Sequence, residues 1–356
     1  MNRFIPVKIN ELKEYTPDNG TYTIRADANE SPYLPSPELM AELEDSLRDL
    51  AFNRYPDSTA SGLVNAFTDY YGLPRGCAVA GNGSDELISI IESSFLSAGD
   101  VLVVADPDFS MYEFYAGISG VETAAYEKGD GFGIDLDCLL CLCREKKAKM
   151  VMMSNPCNPT GVALDAADVM SFVRRADCLV VMDEAYMDFC TSRSSVLSEA
   201  PASENLIVLK TLSKAFGMAS LRCGFAVSNR DIIGAVGKVK SPYNVNSFTQ
   251  AAGTAVLRRK AEAESKRKEI IEERKRLYTE LRKITEGLPV RVFPSETNFV
   301  LLKPDGKSRD IFDLLLERSI KIRYMGDYLR ITAAGRHDDD EILSSLAAIF
   351  SQVYGT

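Results

Sequence analysis

Two hydrophobic patterns alternate along this chain. Over residues 37–50 and 63–71, apolar positions recur at three- and four-residue steps, the spacing that gathers them on one face of a helix. Between later helical stretches lie short runs that are apolar at every position. These are Val101-Leu102-Val103-Val104, Met150-Val151-Met152-Met153, Leu179-Val180-Val181-Met182 and Leu206-Ile207-Val208-Leu209. Such runs predict strands of a mostly parallel sheet with helices on both faces. Residues 30–245 are therefore expected to form one large α/β domain, and residues 1–29 an N-terminal arm packing on a smaller one. The pattern changes near residue 250. Residues 258–284 are dense in charge, with Ile270, Leu277, Leu281 and Ile284 spaced for one stripe, which predicts a long amphipathic helix. Strands over 298–302 and 328–332 and helices over 308–318 and 339–353 complete the expectation of a small α+β domain over 246–356.

Length agrees with two domains: 356 residues at roughly 150 per domain. The 41 Lys and Arg against 51 Asp and Glu leave a net charge of −10. So acidic a chain lacks the overall cationic field suited to nucleic acid or an anionic membrane, but a local basic pocket for a small anion is compatible with it. The single histidine, His337, lies in the polar run Gly335-Arg336-His337-Asp338-Asp339-Asp340 and reads as a solvated loop residue. One histidine builds no His-rich metal site, so acid–base chemistry is expected from Lys, Asp, Tyr or a cofactor. No apolar run approaches a membrane span, and the start, Met1-Asn2-Arg3-Phe4-Ile5-Pro6, is too broken for a signal peptide. The eight cysteines are then expected as free thiols of a reduced, cytoplasmic protein. Cys138, Cys141 and Cys143 read as core thiols on an apolar helix face rather than as metal ligands.

Open α/β sheets place ligands at the carboxyl ends of their strands, so the residues following each run carry the candidate chemistry. Gly81-Asn82-Gly83-Ser84-Asp85-Glu86 precedes a helical pattern, and a glycine-rich turn into a helix offers backbone N–H groups to a phosphate. After the run at 150–153 comes Ser154-Asn155-Pro156-Cys157-Asn158-Pro159-Thr160-Gly161, a rigid turn holding Asn158. After 179–182 comes Asp183-Glu184-Ala185-Tyr186; a carboxylate there is partly desolvated and calls for a cation. After 206–209 come Lys210-Thr211-Leu212-Ser213-Lys214-Ala215-Phe216-Gly217 and then Leu221-Arg222-Cys223-Gly224-Phe225, which gather hydroxyls, a lysine and an arginine.

In this order, these segments resemble the fold-type-I aminotransferases that use pyridoxal 5′-phosphate. The closer resemblance is to the histidinol-phosphate aminotransferase family. It rests also on Asn29-Glu30-Ser31-Pro32, Asn53-Arg54-Tyr55-Pro56-Asp57, Phe109-Ser110-Met111-Tyr112, Ser295-Glu296-Thr297-Asn298-Phe299 and Leu329-Arg330-Ile331-Thr332, and spans residues 25–350. The resemblance implies a Schiff base at Lys214, which then moves a proton on the substrate. It implies that Asp183 pairs with the pyridine nitrogen, that Tyr186 and Asn158 hydrogen-bond the ring oxygen, and that Phe109 stacks on the ring. The cofactor phosphate would lie on Ser84 and Asp85, with Thr211, Ser213 and Arg222 as further donors. Tyr55 would reach that phosphate from the neighbouring subunit of a homodimer. Arg330 would bind the substrate's anionic group, with Arg323, Tyr15 and Asn29 as further substrate contacts.

One feature departs from the family pattern. Only Tyr324-Met325-Gly326-Asp327-Tyr328-Leu329 separates Arg323 from Arg330, where the family has a longer loop at the substrate mouth. The expected activity is transamination between glutamate/2-oxoglutarate and histidinol phosphate. The alternatives are an aromatic amino acid aminotransferase, a threonine-phosphate decarboxylase and a ligand-sensing regulator; the last would need an added DNA-binding domain.

Overall fold

The computed structural model describes residues 4–6, 9 and 20–355; Tyr15 lies outside them. The four apolar runs form strands β3 (Val101–Asp106), β5 (Met150–Ser154), β6 (Leu179–Asp183) and β7 (Leu206–Thr211). With β2 (Ala78–Asn82), β4 (Glu122–Glu127) and β8 (Cys223–Val227) they make a seven-stranded sheet in the order β2-β8-β7-β6-β5-β3-β4. β3 to β7 are parallel to one another, and β8 runs antiparallel to both β2 and β7.

The continuous apolar runs follow from this placement. Val180 and Met182 enter one core, and Val181 between them enters the other. Side chains alternate between faces along a strand, so a strand covered on both sides needs an apolar residue at every position. One face is covered by α3 (Ser84–Phe95), α4 (Met111–Ser119) and α7 (Arg230–Val239). The opposite core takes α1 (Pro37–Arg48), α2 (Ser61–Tyr71), α5 (Leu136–Glu145), α6 (Ala166–Arg175) and α8 (Ser247–Arg258). Side-chain caps fix several helix starts: Ser36, Asp135, Asp165, Asn229 and Asn246 each accept a backbone N–H of the first turn, satisfying donors that have no partner inside the helix.

A second sheet has the order β1-β11-β12-β10-β9: β1 (Ile24–Ala26), β9 (Val290–Phe293), β10 (Phe299–Pro304), β11 (Ile320–Met325) and β12 (Tyr328–Thr332). Helices α10 (Ser308–Glu317) and α11 (Arg336–Tyr354) pack on it. β1 pairs in parallel with β11, so the segment before the large sheet is an edge strand of the small one.

Three expectations need correction. Residue 246 was expected to open the smaller unit, but Ala252, Ala255 and Val256 of α8 are buried in the larger core. The passage between cores occurs inside α9 (Lys260–Ile284), whose Ile270 and Ile271 join the larger core and whose Leu277 and Leu281 join the smaller one. Among the three clustered cysteines only Cys143 is buried; Cys138 and Cys141 are exposed, because α5 buries the face that carries Leu139, Leu140 and Cys143. His337 lies in the first turn of α11 rather than in a loop, where Asp338 and Asp339 suit the positive end of the helix dipole.

Candidate active site

The parallel strands β3, β5, β6 and β7 end at one edge of the larger sheet, and the strand order reverses at β3, from which the chain goes out to β4 and then crosses back to β5. The loops leaving β3 and β5 diverge there and open a crevice. The antiparallel strands deliver residues to the same edge: Thr211 at the end of β7 is opposite Gly224, and Asn82 at the end of β2 is opposite Cys223.

Asp183 closes β6 and is only 5% exposed. Its Oδ2 accepts the Tyr112 hydroxyl at 3.0 Å and its Oδ1 the Ala185 N–H at 3.0 Å. Burial outweighs these bonds and pushes the carboxyl up to about 6. A carboxyl in that state gains from a cation set against it, and no ion-pair partner for it exists among the described residues. Tyr112 was not an expected site residue. It lies one helical turn beyond Phe109, whose ring meets it edge-on at 5.7 Å, so the spacing within Phe109-Ser110-Met111-Tyr112 was the available signal.

Lys214 follows β7 and reaches across to the N-terminal segment, donating from Nζ to the Ala28 carbonyl at 2.9 Å. Its ammonium stands 5.8 Å from the centre of the Tyr186 ring. The buried Tyr186 hydroxyl accepts the Asn29 side-chain amide at 2.8 Å. Asn29, expected at the substrate, is 1% exposed, and its amide oxygen accepts the Thr332 hydroxyl at 3.1 Å. Both ends of its amide are thus held by protein. Because the phenol oxygen already accepts from Asn29, its proton is free to point elsewhere; Asn29 orients Tyr186.

An anion cradle is built where β2 turns into α3. Gly83 has φ +88°, a conformation other residues rarely adopt, and a Cβ there would lie 2.7 Å from Arg222 Nη2. A Cβ on Gly224 would lie 2.5 Å from the Ser84 nitrogen. These two glycines let β8 and Arg222 close against the N-terminus of α3, where Ser84 and Asp85 are the first residues. The Thr211 and Ser213 hydroxyls lie 3.0 Å apart, and Arg222 Nη2 is 3.3 Å from the Asp85 carboxylate. Backbone N–H groups of a helix start, two hydroxyls and a guanidinium are a donor set that suits a phosphate. Tyr55 is not folded into this cradle. It is 81% exposed and its ring stacks on Tyr243 at 4.6 Å.

Arg330 on β12 joins the two units. It donates from Nη1 to the Asn158 amide oxygen and from Nη2 to the Asp27 carbonyl at 2.8 Å, and its guanidinium lies 5.1 Å from the Phe299 ring centre. The short segment between the arginines is a hairpin turning at Gly326 and Asp327, with Met325 opposite Tyr328 and Arg323 opposite Arg330. Directly opposed residues share a face of the sheet, so the half-buried Arg323 is on the same side as Arg330.

The sequence matches the family of class I and II aminotransferases over residues 23–349. The chain belongs to that family. Two relatives of this aminotransferase are histidinol-phosphate aminotransferases: that of Clostridium novyi (strain NT) is 36% identical over 343 residues, 95% of each chain. That of Thermoanaerobacter sp. (strain X514) is 36% identical over 346 residues, 95% of this chain and 96% of the relative. The histidinol-phosphate aminotransferase of Sinorhizobium meliloti, solved with pyridoxal 5′-phosphate, shares the fold with a TM-score of 0.89 and 23% identity over 99% of each chain. The α/β aminotransferase fold expected from the sequence is therefore the one observed. No helix among the described residues is long and apolar enough to cross a membrane.

Proposed function

We propose that this aminotransferase exchanges an amino group between histidinol phosphate and 2-oxoglutarate, as the names of its full-length relatives suggest. The observation that carries the reading is the Arg323–Arg330 pair. The two guanidinium groups share one face of the small sheet, Arg330 reaches Asn158 of the larger unit, and a guanidinium fork matches a carboxylate or phosphate. The shortened loop, a tight hairpin, keeps Arg323 in register with Arg330 instead of turning it away.

Pyridoxal 5′-phosphate is the cofactor, and the residues present fit it. The cradle of Ser84, Asp85, Thr211, Ser213 and Arg222 suits its phosphate, and the buried Asp183 has room in its chemistry for one cation, the protonated ring nitrogen. When bound, the cofactor supplies an electron sink for the bond-breaking at the substrate Cα. Asp183 keeps the ring nitrogen protonated by opposite charge in a low-dielectric site. Lys214 would hold the cofactor aldehyde and would carry the proton to and from the substrate Cα. Tyr186, oriented by Asn29, and Asn158, held by Arg330, direct hydrogen bonds at the ring oxygen, while Phe109 covers a ring face. Arg330 binds the α-carboxylate of glutamate or the anion of histidinol phosphate, and Arg323 serves the phosphate. Tyr15 is assigned to the same phosphate.

A homodimer completes the site by carrying Tyr55 to the cofactor phosphate of the other subunit. The exposed apolar side chains of Leu34, Phe52 and Tyr55, each 80% exposed or more, support a surface covered by a second copy. Eight free thiols support a cytoplasmic setting.

Single-turnover rates with each amino donor test the substrate reading. A charge-assisted bond is worth about 1.5–3 kcal/mol, so Arg330→Ala should slow both half-reactions by roughly ten- to a hundredfold. Arg323→Ala should impair histidinol phosphate far more than glutamate. Equal effects of Arg323→Ala on the two donors, or a parent enzyme that prefers phenylalanine or tyrosine to histidinol phosphate, would overturn the substrate and leave the transaminase standing.

A further inference from the structure

We propose that Lys128 and Asp108 form a buried positioning pair that sets where Phe109 and Asn158 stand against the cofactor ring. The inference rests on the roles just given to those two residues.

The pair sits at the strand-order reversal. The ladder between β3 and β5 ends at Val104 opposite Met152, so the backbones leading to Phe109 and Asn158 separate with no sheet hydrogen bonds between them. Asp108 re-joins them. Its Oδ1 accepts the Phe109 N–H at 2.8 Å and the Ser154 hydroxyl, and its Oδ2 accepts the Ser154 N–H at 3.2 Å. The Ser154 Oγ in turn accepts the Asn158 N–H at 3.1 Å. One carboxylate thereby holds the backbone at Phe109 directly and that at Asn158 through a single hydroxyl.

Lys128 fixes the carboxylate. It arrives from just beyond the edge strand β4, donates to the Pro107 carbonyl at 2.7 Å, and stands 3.3 Å from Asp108 Oδ2 and 3.1 Å from Cys157 Sγ. Its Nζ thus touches the residue before Asp108 and the residue before Asn158. The side chains of Lys128 and Asp108 are 1% and 3% exposed. A buried ion pair adds little stability over apolar side chains of the same size. What this one adds is geometry: three loops from three strands meet on it, and two of them end in groups that face the cofactor.

Lys128→Met removes the ammonium and keeps the stem, while Ser154→Ala removes one hydroxyl and no charge. The measurements are cofactor retention by the holoenzyme on dilution and the visible circular dichroism of the bound cofactor, with melting temperature as the check on folding. Both variants should lose cofactor affinity at least tenfold and change the visible dichroism, and Ser154→Thr, which keeps the hydroxyl, should retain the parent's values. Parental affinity and dichroism in Ser154→Ala overturn the inference, whether or not Lys128→Met folds. Phe109→Ala and Asn158→Ala separate the two levels. If they too bind cofactor like the parent, the roles given to Phe109 and Asn158 fail. If they weaken it and Ser154→Ala does not, only the positioning pair fails.

Discussion

Replacing Asp183 by asparagine in the cofactor-free protein should raise its stability at neutral pH while crippling the enzyme. The carboxyl is buried at the end of β6 and its pKa is pushed up to about 6 from 3.8, chiefly by desolvation. The folded state therefore binds a proton more tightly than the unfolded chain does between roughly pH 4 and 6. Stability from this group is highest below pH 4, falls as pH rises through that window, and the cost of the buried charge is fully present above it. Two pH units correspond to about 3 kcal/mol. Asparagine carries no charge and fits the same partners. Its oxygen accepts the Ala185 N–H, and its amide donates to the Tyr112 hydroxyl, which turns from donor to acceptor. At about 2.1 cal/mol/K of unfolding entropy per residue, 3 kcal/mol over this chain is about 4 °C in Tm. The assay is thermal denaturation of parent and Asp183→Asn at pH 4, 6 and 7.5, with and without pyridoxal 5′-phosphate. Without cofactor the variant should melt higher at pH 7.5 and no higher at pH 4. With cofactor the order should reverse, because only the carboxylate gains the ring cation, and kcat should fall by several orders of magnitude. A cofactor-free Asp183→Asn protein that melts at or below the parent at pH 7.5 would refute the reasoning.

Lys214→Ala should abolish covalent fixation of the cofactor by borohydride, read by mass spectrometry of the digested protein; label on a different lysine would remove Lys214 from its role. Gly224→Ala should weaken cofactor binding by tenfold or more in a titration, because the added Cβ would stand 2.5 Å from the backbone at Gly83 and Ser84 and must push the cradle open. An alanine variant with the parent's affinity would show that the cradle gives way without loss.

Much of the candidate site was legible because each group is announced by its own neighbours. Asp183 and Thr211 close apolar strands, Lys214 follows three residues after one, and Ser84 and Asp85 follow a glycine turn into a helix. What escaped were groups whose meaning depends on a distant partner. Lys128 reads as an ordinary charge beyond a half-exposed strand until Asp108 is seen beside it. Asn29 belongs to a recognisable motif, yet its place against Tyr186 depends on a contact spanning 157 residues. Strand β4 escaped because its burial alternates at a sheet edge, so its apolar positions are few.

By itself the sequence determined most of the local elements and the division into a larger and a smaller sheet-containing unit. An unbroken apolar run has few stable placements other than a strand covered on both faces, and the charged stripe of α9 has few other than a half-exposed helix. Tertiary structure alone decided which loop ends share the crevice. That choice rests on strand order, the reversal at β3 and the antiparallel entry of β8, which place Arg222 beside Gly83 and Asp108 beside Ser154. The boundary between the units was decided in the same way. The small and apolar side chains of α8 fit either core, and it is packing on α1 and α2, folded from residues some two hundred positions earlier, that draws α8 into the larger one.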